Sequence, residues 1–77
     1  MKKFYSLVIS VIDKHGNRVE AHEITGSNDR EQILIEREQL DKEVKSGKYD
    51  SWNIKNCTLK AEIEVHNDEI WELLYIM

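Results

Sequence analysis

The clearest pattern on the chain runs from residue 57 to 65. Cys57, Leu59, Ala61, Ile63 and Val65 alternate with Thr58, Lys60, Glu62 and Glu64. A period of two marks a half-buried β-strand with one dry and one wet face. The pattern predicts a strand from Trp52 onward, with a bulge near Asn56, because Trp52 and Ile54 fall in the opposite phase. Lys3 to Ile12 also reads as a strand, rich in Phe, Tyr, Val and Ile. Asp13-Lys14-His15-Gly16-Asn17 is a turn, with Gly16 free to take positive φ. Arg18 to Thr25 follows as the second arm of a hairpin, ended by Gly26.

A helix is expected from about Asp29 to Ser46. Asn28 and Glu31 have the spacing of a capping box. Ile33, Leu40 and Val44 recur at helical spacing on one face, while Ile35 lies opposite Ile33. Glu38 with Lys42 and Asp41 with Lys45 are i,i+4 pairs for the wet face. Gly47 stands where a left-handed C-cap belongs.

The last segment, NDEIWELLYIM, places seven large apolar residues among its last eight. Residues 69–77 are expected as a strand, with a short helix as the alternative. The sum is one α+β domain over residues 1–77. Its expected layout is ββαββ, an antiparallel sheet with one helix packed on one face.

One helix covers only one face of such a sheet, and the first and last strands are apolar on both sides. Phe4, Val8, Ile12, Leu74 and Ile76 would then face away from the helix. Large exposed apolar faces mark interfaces, and homodimers are the commonest oligomers. Self-association through these five residues is therefore expected. The bland alternative places the strands centrally and lets the loop around Tyr49 and Trp52 cover the outer face.

Charge changes the picture at one end. Residues 1–60 hold eleven bases and ten acids, whereas residues 61–77 hold five acids and no base. An acidic end repels phosphate and suits a basic protein surface. Apolar residues at 40% and charged residues at 34% give a globular balance. Cys57 is the sole cysteine, so no internal disulfide is possible. MKKFYSLVISVI resembles a signal peptide, but serines interrupt it, no cleavage site follows, and Asp13 ends it. No stretch approaches the roughly 20 apolar residues of a membrane span. The expected location is the cytoplasm.

Catalytic and metal-binding patterns are weak. His15 and His66 fall in predicted turns, and His22 has no converging ligand set. Cys57 points toward the dry face, where cysteine acts as a small hydrophobe. No phosphate loop, nucleophile elbow or paired-carboxylate constellation is present. No catalytic residue, metal or cofactor is expected. Tyr49 and Trp52 beside Lys48 and Lys55 have the make-up of a base-stacking surface, so a small nucleic-acid-binding regulator is the alternative function.

The hairpin FYSLVISVIDKHGNRVEAHEI, the capped helix at SNDREQ, the apolar end and the absence of proline give the whole chain a general character. In that character it resembles small phage-encoded accessory proteins, including anti-CRISPR and other host-modulating inhibitors. The resemblance implies binding without catalysis, often as a dimer, on the functional surface of a host protein. The expected function is a non-catalytic protein-binding module that acts by steric blocking. Tyr49, Trp52, Glu62, Glu64 and Glu72 are its expected partner contacts.

Overall fold

A computed structural model describes residues 3–67. Strand β1 (Lys3–Ile12), strand β2 (Arg18–Ser27), helix α1 (Arg30–Lys45), a 3-10 turn (Asp50–Trp52) and strand β3 (Thr58–Asn67) follow in that order. The strands form an antiparallel sheet in the order β2-β1-β3, and α1 packs on one face. The architecture is α+β, as expected. The fourth strand expected over 69–77 lies outside the described residues.

The central place of β1 explains why it is apolar on both faces. Tyr5, Leu7, Ile9 and Val11 point toward the helix, and Leu7, Ile9 and Val11 are buried. Ile33 and Leu40 of α1 and Ala61 of β3 close the core over them. Val44, Tyr49, Leu59 and Ile63 pack around this cluster. Ile35, on the opposite side of α1, is 63% exposed.

The β1–β2 turn is tied by its own aspartate. Asp13 Oδ1 accepts from the backbone N–H of His15 and of Asn17, each at 2.9 Å. Gly16 takes φ 84°, a left-handed conformation that glycine adopts without steric cost.

Three expected boundaries move. Gly26 does not end β2; it pairs with Ser6 inside the strand, and the Phe4 ring lies where a Cβ at this position would be. A side chain here would force that ring aside. The helix cap is Asp29 and not Asn28. Asp29 is extended, at φ −90° and ψ 107°, and its Oδ1 accepts from Glu31 N–H at 3.0 Å and Gln32 N–H at 3.2 Å. The helix therefore begins one residue later than the Asn28/Glu31 spacing suggests. Asp29→Ala is expected to cost about 1 kcal/mol, read as a drop in urea midpoint, with Asn28→Ala close to neutral.

The third boundary is the start of β3. The 3-10 turn takes Trp52 and the loop runs from Asn53 to Cys57, so there is no bulged strand entry. Trp52 N–H donates to Tyr49 C=O and Asn53 N–H to Asp50 C=O, which curls the chain into the 3-10 turn. Asn56 has φ 67°, a region that asparagine tolerates better than most residues. The phase reversal around Trp52 and Ile54 comes from this turn. Bulges occur in β2 instead, at Ile24 and Val19, where the register with β1 shifts.

At its other end α1 closes as expected. Gly47 has φ 92°, its N–H donates to Val44 C=O, and Lys48 N–H donates to Glu43 C=O. These two bonds make a Schellman motif. Of the two expected i,i+4 pairs, Asp41–Lys45 is formed at 2.9 Å.

Candidate functional site

Directly opposed residues in a sheet share a face. The face away from α1 therefore carries Phe4, Ser6, Val8, Ser10 and Ile12 of β1, with Glu62 and Glu64 of β3 opposite Val8 and Ser6. Phe4, Val8 and Ile12 thus form one row, as expected. Val8 is only 4% exposed, and Ser6 and Ser10 are buried beside it. The neighbouring strands supply the cover. Arg18 Nη1 donates to Glu64 Oε1, and its Nη2 lies 3.5 Å from Glu62 Oε1. This charged bridge joins β2 to β3 across the central strand. Leu74 and Ile76 lie outside the described residues.

The buried Ser10 hydroxyl is the largest influence holding the Glu62 carboxyl below the ordinary glutamate range, and the Arg18 guanidinium adds to it. A carboxyl depressed on folding adds stability above its unfolded value, and that contribution fades as the pH falls through the folded value. Stability is therefore expected to fall as the solution is acidified below the ordinary glutamate value of 4.5. Arg18→Gln should flatten part of that slope in urea titrations at stepped pH. An unchanged slope would remove the bridge from the account.

The helix-side face is built differently. His22 pairs with Ile9 and so points to the helix side of β2. The 3-10 turn brings Trp52 onto it, with ring centroids 5.2 Å apart. Tyr49 meets Trp52 edge-on at 5.0 Å and packs inward against the core. Lys48 Nζ lies 5.6 Å from the centre of the Tyr49 ring while it pairs with Glu43 Oε2 at 2.7 Å. The Glu43 carboxylate raises the Lys48 pKa and keeps the ammonium charged.

The loop thus does not cover the outer face of the sheet. It sits on the helix side, at the β2 edge. Beside it α1 packs more closely on β3 than on β2. A hollow of about 260 Å³ remains there, floored by Leu7, Ile24, Leu40 and Tyr49 and rimmed by Glu36 and Glu43. Ile24 in its lining is 36% exposed, and Trp52, which packs on Tyr49, is 41% exposed.

The expected partner contacts therefore separate. Tyr49 and Trp52 form one cluster on the helix side, while Glu62 and Glu64 lie together on the opposite face. Glu72 lies outside the described residues. His22, Ile24 and Arg18 are not among the contacts expected from the sequence. The His22 signal was its parity with Ile9 across the hairpin, hidden until the register is known. For Arg18 the distance to Glu62 and Glu64 along the chain left no local signal.

Among the described residues no group of three or more His, Cys, Asp or Glu side chains could hold a metal ion. Cys57 is half-buried and unpaired. No helix of the described residues is long and apolar enough to cross a membrane. The chain matches no protein-family profile, no curated protein and no solved structure.

Proposed function

We propose that this chain is a non-catalytic protein-binding module whose contact surface centres on Tyr49 and Trp52. One observation carries the reading. The Trp52 ring packs against both Tyr49 and His22 yet stays 41% exposed, and Tyr49 lines an open hollow. A ring that served only to plug the core would be buried. Fixed, half-exposed tryptophan and tyrosine next to a pocket have the properties of interface anchors, because they add large contact area at low entropic cost.

The rim favours a protein over a nucleic acid. Glu36 and Glu43 border the hollow, and Glu20 lies 3.2 Å from His22. Lys48, whose ammonium lies 5.6 Å from the centre of the Tyr49 ring, is held by Glu43. Phosphate would meet more acid than base here. A partner segment with an apolar side chain and basic neighbours fits better. The resemblance to phage-encoded inhibitors supplies the mode: occupation of a host surface by bulk, without chemistry.

The test is capture from cell lysate by immobilised wild type and Trp52→Ala. A protein held in stoichiometric amount by the wild type and lost by the variant is expected. Retention of the same proteins by both baits would refute the reading. Capture that disappears on nuclease treatment would favour the nucleic-acid alternative.

A further inference from the structure

The two edges of the described sheet are unlike. β2 carries bulges at Ile24 and Val19, which break its ladder and twist the strand. β3 pairs with β1 residue for residue, from Lys3 with Asn67 to Ile12 with Thr58, without a shift. Its outer row of backbone N–H and C=O groups has no strand partner among the described residues. A long, straight, bulge-free edge is a template for another strand, and proteins generally blunt or occupy such edges.

The β3 side chains choose the occupant. We propose that β3 is a self-association edge: two copies pair β3 against β3, antiparallel, about a two-fold axis at Ala61. An axis perpendicular to the sheet keeps helix-side residues opposite helix-side residues, so both helices lie on one side of a continuous sheet. With the axis at Ala61, Lys60 stands opposite Glu62 of the second copy, and the pair occurs twice. Leu59 then stands opposite Ile63 of the second copy on the helix side, also twice.

Neighbouring axes are worse. Centred on Lys60 or on Glu62, the strand opposes a like charge to itself. Centred on Ile63, it opposes Glu62 to Glu64 twice. Opposite charges directly across an antiparallel pair stabilise it, and like charges destabilise it. Lys60 makes no ion pair among the described residues.

Apolar surface at the same edge agrees. Val65 is 57% exposed and Leu34 41% exposed, and both line a hollow of about 190 Å³ with Tyr5, Ile33 and Ile63. A second α1 on the same side of the joined sheet covers this strip. The interface lies apart from Tyr49 and Trp52, so dimerisation leaves both partner surfaces open.

The experiment is sedimentation equilibrium of wild type, Lys60→Glu, Glu62→Lys and the double reversal, with circular dichroism to confirm folding. The wild type is expected to dimerise. Each single reversal should raise the dimer Kd by roughly tenfold or more. The double reversal, which restores both cross-strand pairs, should return it close to wild type. Amide exchange of wild-type β3 should also slow as concentration rises, a readout that needs no variant. A wild-type monomer up to millimolar concentration overturns the proposal. A dimer indifferent to Lys60→Glu moves the interface elsewhere, for instance to the row of Phe4, Val8 and Ile12. A monomer whose β3 amides are protected at every concentration assigns the edge to residues 68–77 of the same chain.

Discussion

Ile33→Ala should cost about 3 kcal/mol of folding stability, whereas Ile35→Ala should change it by less than about 0.5 kcal/mol. The two positions carry the same residue type in the same helix, two places apart. Ile33 is fully buried among Leu7, Ile9, Leu40 and Ala61, and Ile35 is 63% exposed. Truncating Ile33 removes apolar burial and leaves a void, because strands and helix relax only partly into the space. A domain of 77 residues has a total stability of roughly 4–12 kcal/mol. The loss at Ile33 is thus a large share of the whole. Urea unfolding followed by far-ultraviolet circular dichroism measures both variants. Equal losses at the two positions would contradict the placement of α1 on the sheet.

Trp52→Ala should weaken the proposed partner complex by about thirtyfold or more, which corresponds to about 2 kcal/mol. The reasoning is local. Trp52 stands over His22 and against Tyr49, so its ring does not have to be ordered on binding. It packs on Tyr49, which lines the hollow floored by Leu7 and Leu40. An anchor of this kind combines large apolar area with little entropic cost. The same substitution should disturb folding modestly, because the ring is already 41% exposed and gives up only its contacts with Tyr49 and His22 at the surface. Glu62→Gln, on the opposite face, should leave partner affinity unchanged. Calorimetry with the purified captured partner separates these cases. A Trp52→Ala complex as tight as wild type would remove the anchor.

Local patterns were legible in the sequence and long-range registers were not. Alternation from Thr58 to Val65 marked β3, and Gly16 and Gly47 marked a turn and a helix end where positive φ was required. Ile33, Leu40 and Val44 marked the buried stripe of α1. The cap was misplaced by one residue because Asn28 and Asp29 are both good caps, and backbone geometry chose between them. The start of β3 was misread because Trp52 and Ile54 are strong β-formers in a segment that curls into a 3-10 turn. Tertiary contact with Tyr49 and His22 overrides that propensity.

The open face shows the same limit. Apolar residues on both sides of β1 suggest an exposed patch, but the central position of β1 leaves Val8 only 4% exposed, with Phe4 and Ile12 half-buried on either side of it. Arg18 reaches Glu62 and Glu64 from the far side of the sheet, and only the order β2-β1-β3 brings them together. The partner set divided for a related reason. Tyr49 and Trp52 were grouped with Glu62 and Glu64 by residue type, and the sheet placed the two pairs on opposite faces.

Amide hydrogen exchange of the protein with and without its captured partner tests the binding surface most directly. Added protection is predicted for Tyr49 to Ile54 and for His22 to Ile24, with Ser6 to Ser10 unchanged. Protection confined to Ser6–Ser10 and Glu62–Glu64, or no localised change on binding, would contradict the assignment of the contact surface to the Tyr49–Trp52 cluster.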